Sequence, residues 1–341
     1  MLGNVEGGTK KFQVRSAQLS SVASETIVHP VVTRVFVSDS PSPRFTSWFP
    51  LEDDEVESPM TTSTRRKLKF YNLMAALFHT TFAVLVALGI GDFETKLDLL
   101  IPTYKTSLSF GTEQDGDSFF VPIYTSSGGL YITWITISFF GLSAIFHYGA
   151  ALLYPKTYLY LIDHKICPFR WLEYTFSASI MYLAIAFPTG ILGRETLLSG
   201  FGLIATTMFF GLLCEYLARP VRGDQWKNSF AIRITPHVLG YVPQCFAWFI
   251  IILQFLDRPS GAPEPPSFVY ALVLTELFLF FSFGLIQWYQ QRSPPSKYIR
   301  GEFAYITMSF LAKGSLGIIL FTNVLFLSNF DCIINNEGEN C

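Results

Sequence analysis

From residue 71 to residue 327 the chain alternates between long apolar stretches and short polar or proline-rich connections. Seven of the stretches, at 71–90, 128–153, 170–192, 197–217, 234–256, 268–290 and 302–327, are long enough to cross a bilayer. A hydrocarbon core about 30 Å thick needs about 20 residues of helix. Lipid offers no partner to a backbone N–H or C=O, so each stretch must satisfy its own hydrogen bonds, and at these lengths only helices do so. The expected fold is therefore an all-α membrane protein, a bundle of seven transmembrane helices over residues 70–327. Composition agrees: 50% of residues are hydrophobic and only 15% charged, against about a quarter charged in soluble domains.

Orientation follows from where the cations lie. Arg65, Arg66, Lys67 and Lys69 precede the first helix; Lys156, Lys165 and Arg170 fall between helices 2 and 3; Arg219, Arg222, Lys227 and Arg233 between 4 and 5; Arg292, Lys297 and Arg300 between 6 and 7. That side holds fourteen, and the other holds four, Lys96, Lys105, Arg194 and Arg258, together with acids such as Asp92, Asp98, Asp115, Asp117, Glu264 and Glu337. The amino terminus is expected in the cytoplasm and the carboxyl terminus outside.

Residues 1–69 contain no long apolar run and are expected to form a disordered cytoplasmic extension. Their first part is sparing in acids and contains Lys10, Lys11, Arg15, Arg34 and Arg44, so a transit peptide is the alternative. The plasma membrane is preferred to an organelle membrane. Between helices 1 and 2, segments 99–110 and 118–125 carry β-branched and aromatic residues around a Gly/Asp-rich turn, the pattern of a β-hairpin. Such a hairpin caps the bundle or pairs with a neighbouring subunit. Residues 328–341 form an outer tail, where Cys332 and Cys341 are either a disulfide or two free thiols. The five cysteines show no metal or redox spacing, and no nucleophile–base pair marks an enzyme. No feature points to nucleic acid.

Ionisable side chains inside a bilayer cost about 2.5–3.5 kcal/mol each, and those that persist usually serve a purpose. The sequence places Glu173, Glu276, Lys313, His79 and His147 there. Lys313 lies about ten residues into helix 7, too deep to reach water. Desolvation favours the neutral, nucleophilic amine, which condenses with aldehydes to a Schiff base; a salt-bridged bundle lysine is the plainer reading. Glu173 is the first candidate for an accompanying anion, or else an ordinary carboxylate paired with Arg170 one turn away. Ser309 and Gly317 share the Lys313 face at i−4 and i+4. Ser309 has a hydroxyl to offer the carboxylate, and Gly317 leaves space for a bulky group; simple helix packing explains both equally.

Two sets of residues carry a resemblance. Helix 7 reads Arg300-Gly301-Glu302, Ala304-Tyr305-Ile306 and Ser309-Phe310-Leu311-Ala312-Lys313, and helix 3 reads Phe169-Arg170-Trp171-Leu172-Glu173-Tyr174. Both are similar to heliorhodopsins. Further likeness lies in Ser143-Ala144-Ile145-Phe146-His147, Phe268-Val269-Tyr270 and Leu77-Phe78-His79, so that about 70–327 is covered. The resemblance implies that Lys313 holds all-trans retinal as a protonated Schiff base, that Glu173 is its counterion and that Ser309 assists the pair. It places His79 and His147 in a cytoplasmic-side polar cavity, where satisfied core histidines are the alternative. It implies retinal-pocket walls at Tyr174, Met208, Phe280 and Phe283. It also implies a homodimer, and a cytoplasmic amino terminus as already read from the charges.

Glu276 departs from that pattern. It stands mid-helix 6 where an apolar residue is expected, on the face of Phe280, Phe283 and Gln287 at i+4, i+7 and i+11. It is either part of a proton or ion path or a neutral acid bonded to a neighbouring helix. Gln244 likewise replaces an expected aromatic. The function expected is light sensing with a sensory or regulatory output through an unknown signalling partner. The runner-up is a light-activated proton or cation transporter or channel using Glu276. The charge asymmetry makes its own prediction: a tag after Cys341 is reached by an impermeant label on intact cells, and one at Met1 only after permeabilisation. The reverse labelling contradicts the orientation.

Overall fold

The computed structural model describes residues 60–88, 100–112, 118–221, 223–257 and 264–325. The expected amino-terminal extension up to residue 59, the acidic 1–2 loop residues and the cysteine-bearing tail lie outside the described residues. Within them are eight α-helices: α1 Thr62–Leu88, α2 Ile132–Tyr148, α3 Pro155–Asp163, α4 Pro168–Ala186, α5 Arg194–Leu217, α6 Phe230–Leu256, α7 Ser267–Arg292 and α8 Tyr298–Leu320. A π-helical turn, Gly149–Leu153, prolongs α2, and another, Phe321–Leu325, prolongs α8. Each long helix packs against the next in chain order, and α8 returns to α1 to close the ring.

The helices are sorted by where their polar atoms go. On α6, the exposed residues Val238, Val242, Phe246, Phe249, Leu253 and Leu256 recur at helical spacing and are all apolar. The opposite stripe buries Arg233, Gln244 and Trp248. On α8, Glu302, Ser309 and Lys313 are buried while Leu311 and Ile318 are exposed. An apolar exterior around a polar interior is what a lipid solvent selects.

Six helical spans meet the length and apolarity needed to cross a membrane. The seventh, α4, is 19 residues long and is more polar because it is the most enclosed. Only Leu172 and Phe176, one turn apart, are large exposed apolar residues on it. Close packing around it depends on small residues. A Cβ on Gly200 of α5 would collide with the Tyr182 ring of α4, and Tyr182 in turn donates to the Ala247 carbonyl of α6 at 3.2 Å.

The expected β-hairpin is present as β1 Leu100–Thr112 and β2 Ser118–Tyr131, antiparallel with an irregularity between Pro102 and Tyr104. Strand β2 runs on to Tyr131, so α2 begins later than the sequence suggested. The Tyr104 N–H donates to the Leu192 carbonyl at 3.0 Å, which fastens β1 to the α4–α5 loop of the same chain. A second small hairpin, β3 Pro220–Val221 with β4 Gln225–Trp226, links α5 to α6. The sequence reading had no counterpart to α3. Its Asp163 accepts from Arg65 at 2.6 Å and from the Met60 N–H at 2.9 Å, fixing the start of α1.

Candidate functional site

Lys313 is buried in α8 and its Nζ lies 2.9 Å from Glu173 Oε1 of α4. The amine also donates to Ser309 Oγ at 3.0 Å, one turn back on its own helix. The same Glu173 oxygen accepts from Ser143 of α2 at 2.6 Å and from Ser177 at 2.7 Å, the latter one turn along α4. An anion buried this deeply persists where hydrogen-bond donors replace water, and here one ammonium and two hydroxyls converge on a single oxygen. Three helices meet at that atom. Nζ also stands 5.1 Å from the centroid of the Tyr174 ring.

The alternative partner for Glu173 is ruled out by the same geometry. Arg170 forms ion pairs with Glu215 of α5 and Glu302 of α8 instead, and its guanidinium lies 4.0 Å from the Tyr305 ring centroid. Tyr298 donates to Glu215 at 3.0 Å, Tyr158 donates to Glu302 at 2.8 Å, and the Cys167 N–H at the start of α4 donates to Glu215 at 2.8 Å. Glu215 thereby sits where the positive end of the α4 dipole favours an anion. Arg170 and Arg233, which the sequence places among the loop cations, are both buried in the bundle.

Between the two ion clusters lies a small cavity lined by Asn72, His147, Arg170, Glu173, Tyr174 and Glu302 among others. His147 therefore stands beside Glu173, with Nδ1 2.8 Å from Asn72 Oδ1 and no partner on Nε2 among the described residues. His79 is not among the cavity's lining residues; its ring stacks on His147 at 5.6 Å and neither nitrogen has a partner among the described residues.

Of the four expected pocket walls, Met208, Phe280 and Phe283 line a separate crevice with Trp171, Gln244 and Gln287. Tyr174 lies between this crevice and Lys313, its ring 5.4 Å from that of Phe283. Gln244 Oε1 is buried there without a partner among the described residues. The space expected beside Gly317 is not open: a Cβ there would fall 2.5 Å from Phe140 and 3.3 Å from Phe82, so this glycine admits neighbouring helices instead. Glu276 is fully buried but does not line the crevice. It accepts from Ser315 of α8 at 2.7 Å, and its Oε2 has no partner among the described residues.

The sequence reading missed Ser143, Ser177, Asn72, Tyr158, Glu215 and Glu302 as members of these networks. Ser177 was within reach of the helical-spacing argument, standing at i+4 from Glu173. Glu215 and Glu302 lie near the helix ends, where carboxylates are ordinarily solvated.

A ring of membrane helices enclosing a lysine–carboxylate pair defines a multi-pass membrane protein of the microbial rhodopsin type. The crystal structure of xanthorhodopsin, described as a light-driven ion pump with dual chromophore, is similar in fold, with a TM-score of 0.54 at 10% identity over 82% of this chain and 98% of that one. The heliorhodopsin family model matches residues 68–325, and the chain belongs to that family. It is accordingly a retinal-containing, light-responsive rhodopsin. No curated protein matches it.

Removing one member of a buried ion cluster leaves an uncompensated charge at a cost of about 3–5 kcal/mol. Arg170→Met should therefore lower the unfolding temperature of the detergent-solubilised protein markedly, and adding Glu215→Gln and Glu302→Gln should recover part of the loss. A single variant melting like the wild type would show that the cluster contributes no stability.

Proposed function

We propose that Lys313 carries all-trans retinal, that Glu173 is its counterion, and that the protein is a light sensor with a regulatory output. The observation that carries this reading is the Lys313 amine, enclosed among helices and bonded to Glu173 and Ser309. The residues fit such a group. The chain offers a buried primary amine with an anion at hand, and beyond Tyr174 a crevice walled by Met208, Phe280 and Phe283, the apolar and aromatic lining usual for ligand sites. Retinal attached at Lys313 supplies visible absorption and light-driven isomerisation.

The chain's own part is electrostatic. The Lys313–Glu173 pair ties α8 to α4, and Ser143 adds α2 to the tie. Moving a proton from the Lys313 nitrogen to Glu173 cancels both charges and releases the strongest polar link among these helices, giving the bundle a reason to change packing. A homodimer in the plasma membrane, with the amino terminus in the cytoplasm and a signalling partner, completes the proposal; family membership and the cation asymmetry support it.

Purified protein supplied with all-trans retinal should develop a visible band, and Lys313→Ala should fold but stay colourless. Glu173→Gln should weaken the band at neutral pH, with the lost absorbance appearing in the near ultraviolet. A coloured Lys313→Ala protein would overturn the assignment.

A second reading, light-activated proton or cation conductance, draws support from Glu276, whose unpartnered oxygen is fully buried. It predicts a photocurrent in voltage-clamped cells that Glu276→Gln abolishes with little change of colour. A wild-type protein passing no current under any voltage or pH gradient leaves sensing as the function.

A further inference from the structure

Asn72 is buried in α1, and its side chain is a hub between three helices. Its Nδ2 donates to the Leu68 carbonyl at 3.0 Å and to Tyr158 Oη at 3.3 Å, while Oδ1 lies 2.8 Å from His147 Nδ1. An amide can be placed either way round on geometry alone, and the network decides. Reversed, Asn72 would set its carbonyl oxygen against the Leu68 carbonyl oxygen, two acceptors with no proton between them. Tyr158 cannot reverse either. Its hydroxyl proton goes to Glu302 Oε1 at 2.8 Å, a carboxylate that Arg170 holds from the other side. Oη is therefore left as an acceptor, which suits the Asn72 amide and no other orientation of it.

Each group in this chain donates in one direction, toward the Arg170-bound carboxylate. At the far end, among the described residues, Asn72 Oδ1 is satisfied by a protonated Nδ1 on His147. A neutral imidazole carries a single N–H, so Nε2 must be the bare nitrogen. The structure gives Nε2 no partner among the described residues, and the ring borders the cavity that Glu173 also lines.

We propose that Asn72 is a positioning residue that locks His147 in its Nδ1–H tautomer, with Tyr158 and the Arg170-paired Glu302 setting the direction of the lock, so that Nε2 faces the cavity as a proton acceptor. The groups facing His147 are Asn72 from α1, the stacked His79 ring, also from α1, and the Glu173–Lys313 pair from α4 and α8 across the cavity. The lock is built from α1, α2, α3 and α8 and holds whether or not a pigment is attached. If retinal is carried as proposed above, a proton leaving the Lys313–Glu173 pair meets an acceptor already oriented.

Nitrogen-15 NMR of protein labelled at its histidine nitrogens tests this, the His147 signals being those that vanish in His147→Gln. Neutral imidazole free in water favours the opposite, Nε2–H, form, so the two outcomes are distinct. The wild type should show a pyrrole-type Nδ1 and a pyridine-type Nε2, both with retinal bound and in colourless Lys313→Ala protein. Asn72→Leu should move the proton to Nε2, and Tyr158→Phe, which removes one of the two acceptors orienting the amide, should give a mixture. A wild-type spectrum with a protonated Nε2, or an Asn72→Leu spectrum unchanged from wild type, would overturn the proposal. Because Lys313→Ala is included, failure of the lock is separable from failure to bind pigment.

Discussion

The structure depends on one constraint: a full positive charge placed inside a lipid-enclosed bundle must be matched where it stands. Lys313 and Arg170 are buried cations at the centre, each held in a cluster of hydrogen-bonding groups. Glu173 answers the first and is itself held by Ser143 and Ser177. Glu215 and Glu302 answer the second, with Tyr158 and Tyr298 donating to them. Attraction between ions out of water is strong, but so is the cost of removing them from it, and only dense hydrogen bonding lets the sum come out favourable. The result is two clusters on facing sides of one cavity, with Tyr158 and Asn72 carrying the Glu302 cluster's hydrogen bonds as far as His147.

This arrangement explains why α4 looks so little like a membrane helix. Its Ser177 and Glu173 belong to one cluster and its Arg170 to the other, while α5, α6 and α7 turn large apolar side chains outward. The division lets α4 act as the electrostatic spine of the bundle. A change of charge at Glu173 is felt at α2 and α8 directly, and any change at Arg170 is felt at α5 and α8.

The bundle itself was readable in the sequence because seven apolar stretches leave few options, and the hairpin was readable from its turn and its β-branched flanks. Lys313 stood out as a lysine far from water. Pairing was harder to read. Arg170 sits close to the end of its helix, so counting it as a loop cation was reasonable, and only the three-dimensional approach of α5 and α8 shows that Glu215 and Glu302 claim it. The α3 helix was missed because nine residues beginning with Pro155 carry too short a pattern to separate from a loop. Gly317 stays open in the sequence for a related reason: a missing side chain on a helix face makes room, and only the structure shows that Phe140, rather than a ligand, takes it.

The central claim is that the Lys313 nitrogen, and no other, bears the pigment. Borohydride reduction of the retinal-regenerated protein under illumination fixes the attached group permanently, and mass spectrometry of the peptides then locates it. The account predicts the added retinyl mass on the peptide containing Lys313 alone. Its appearance on any other lysine, or a coloured protein that yields no modified peptide, would contradict it.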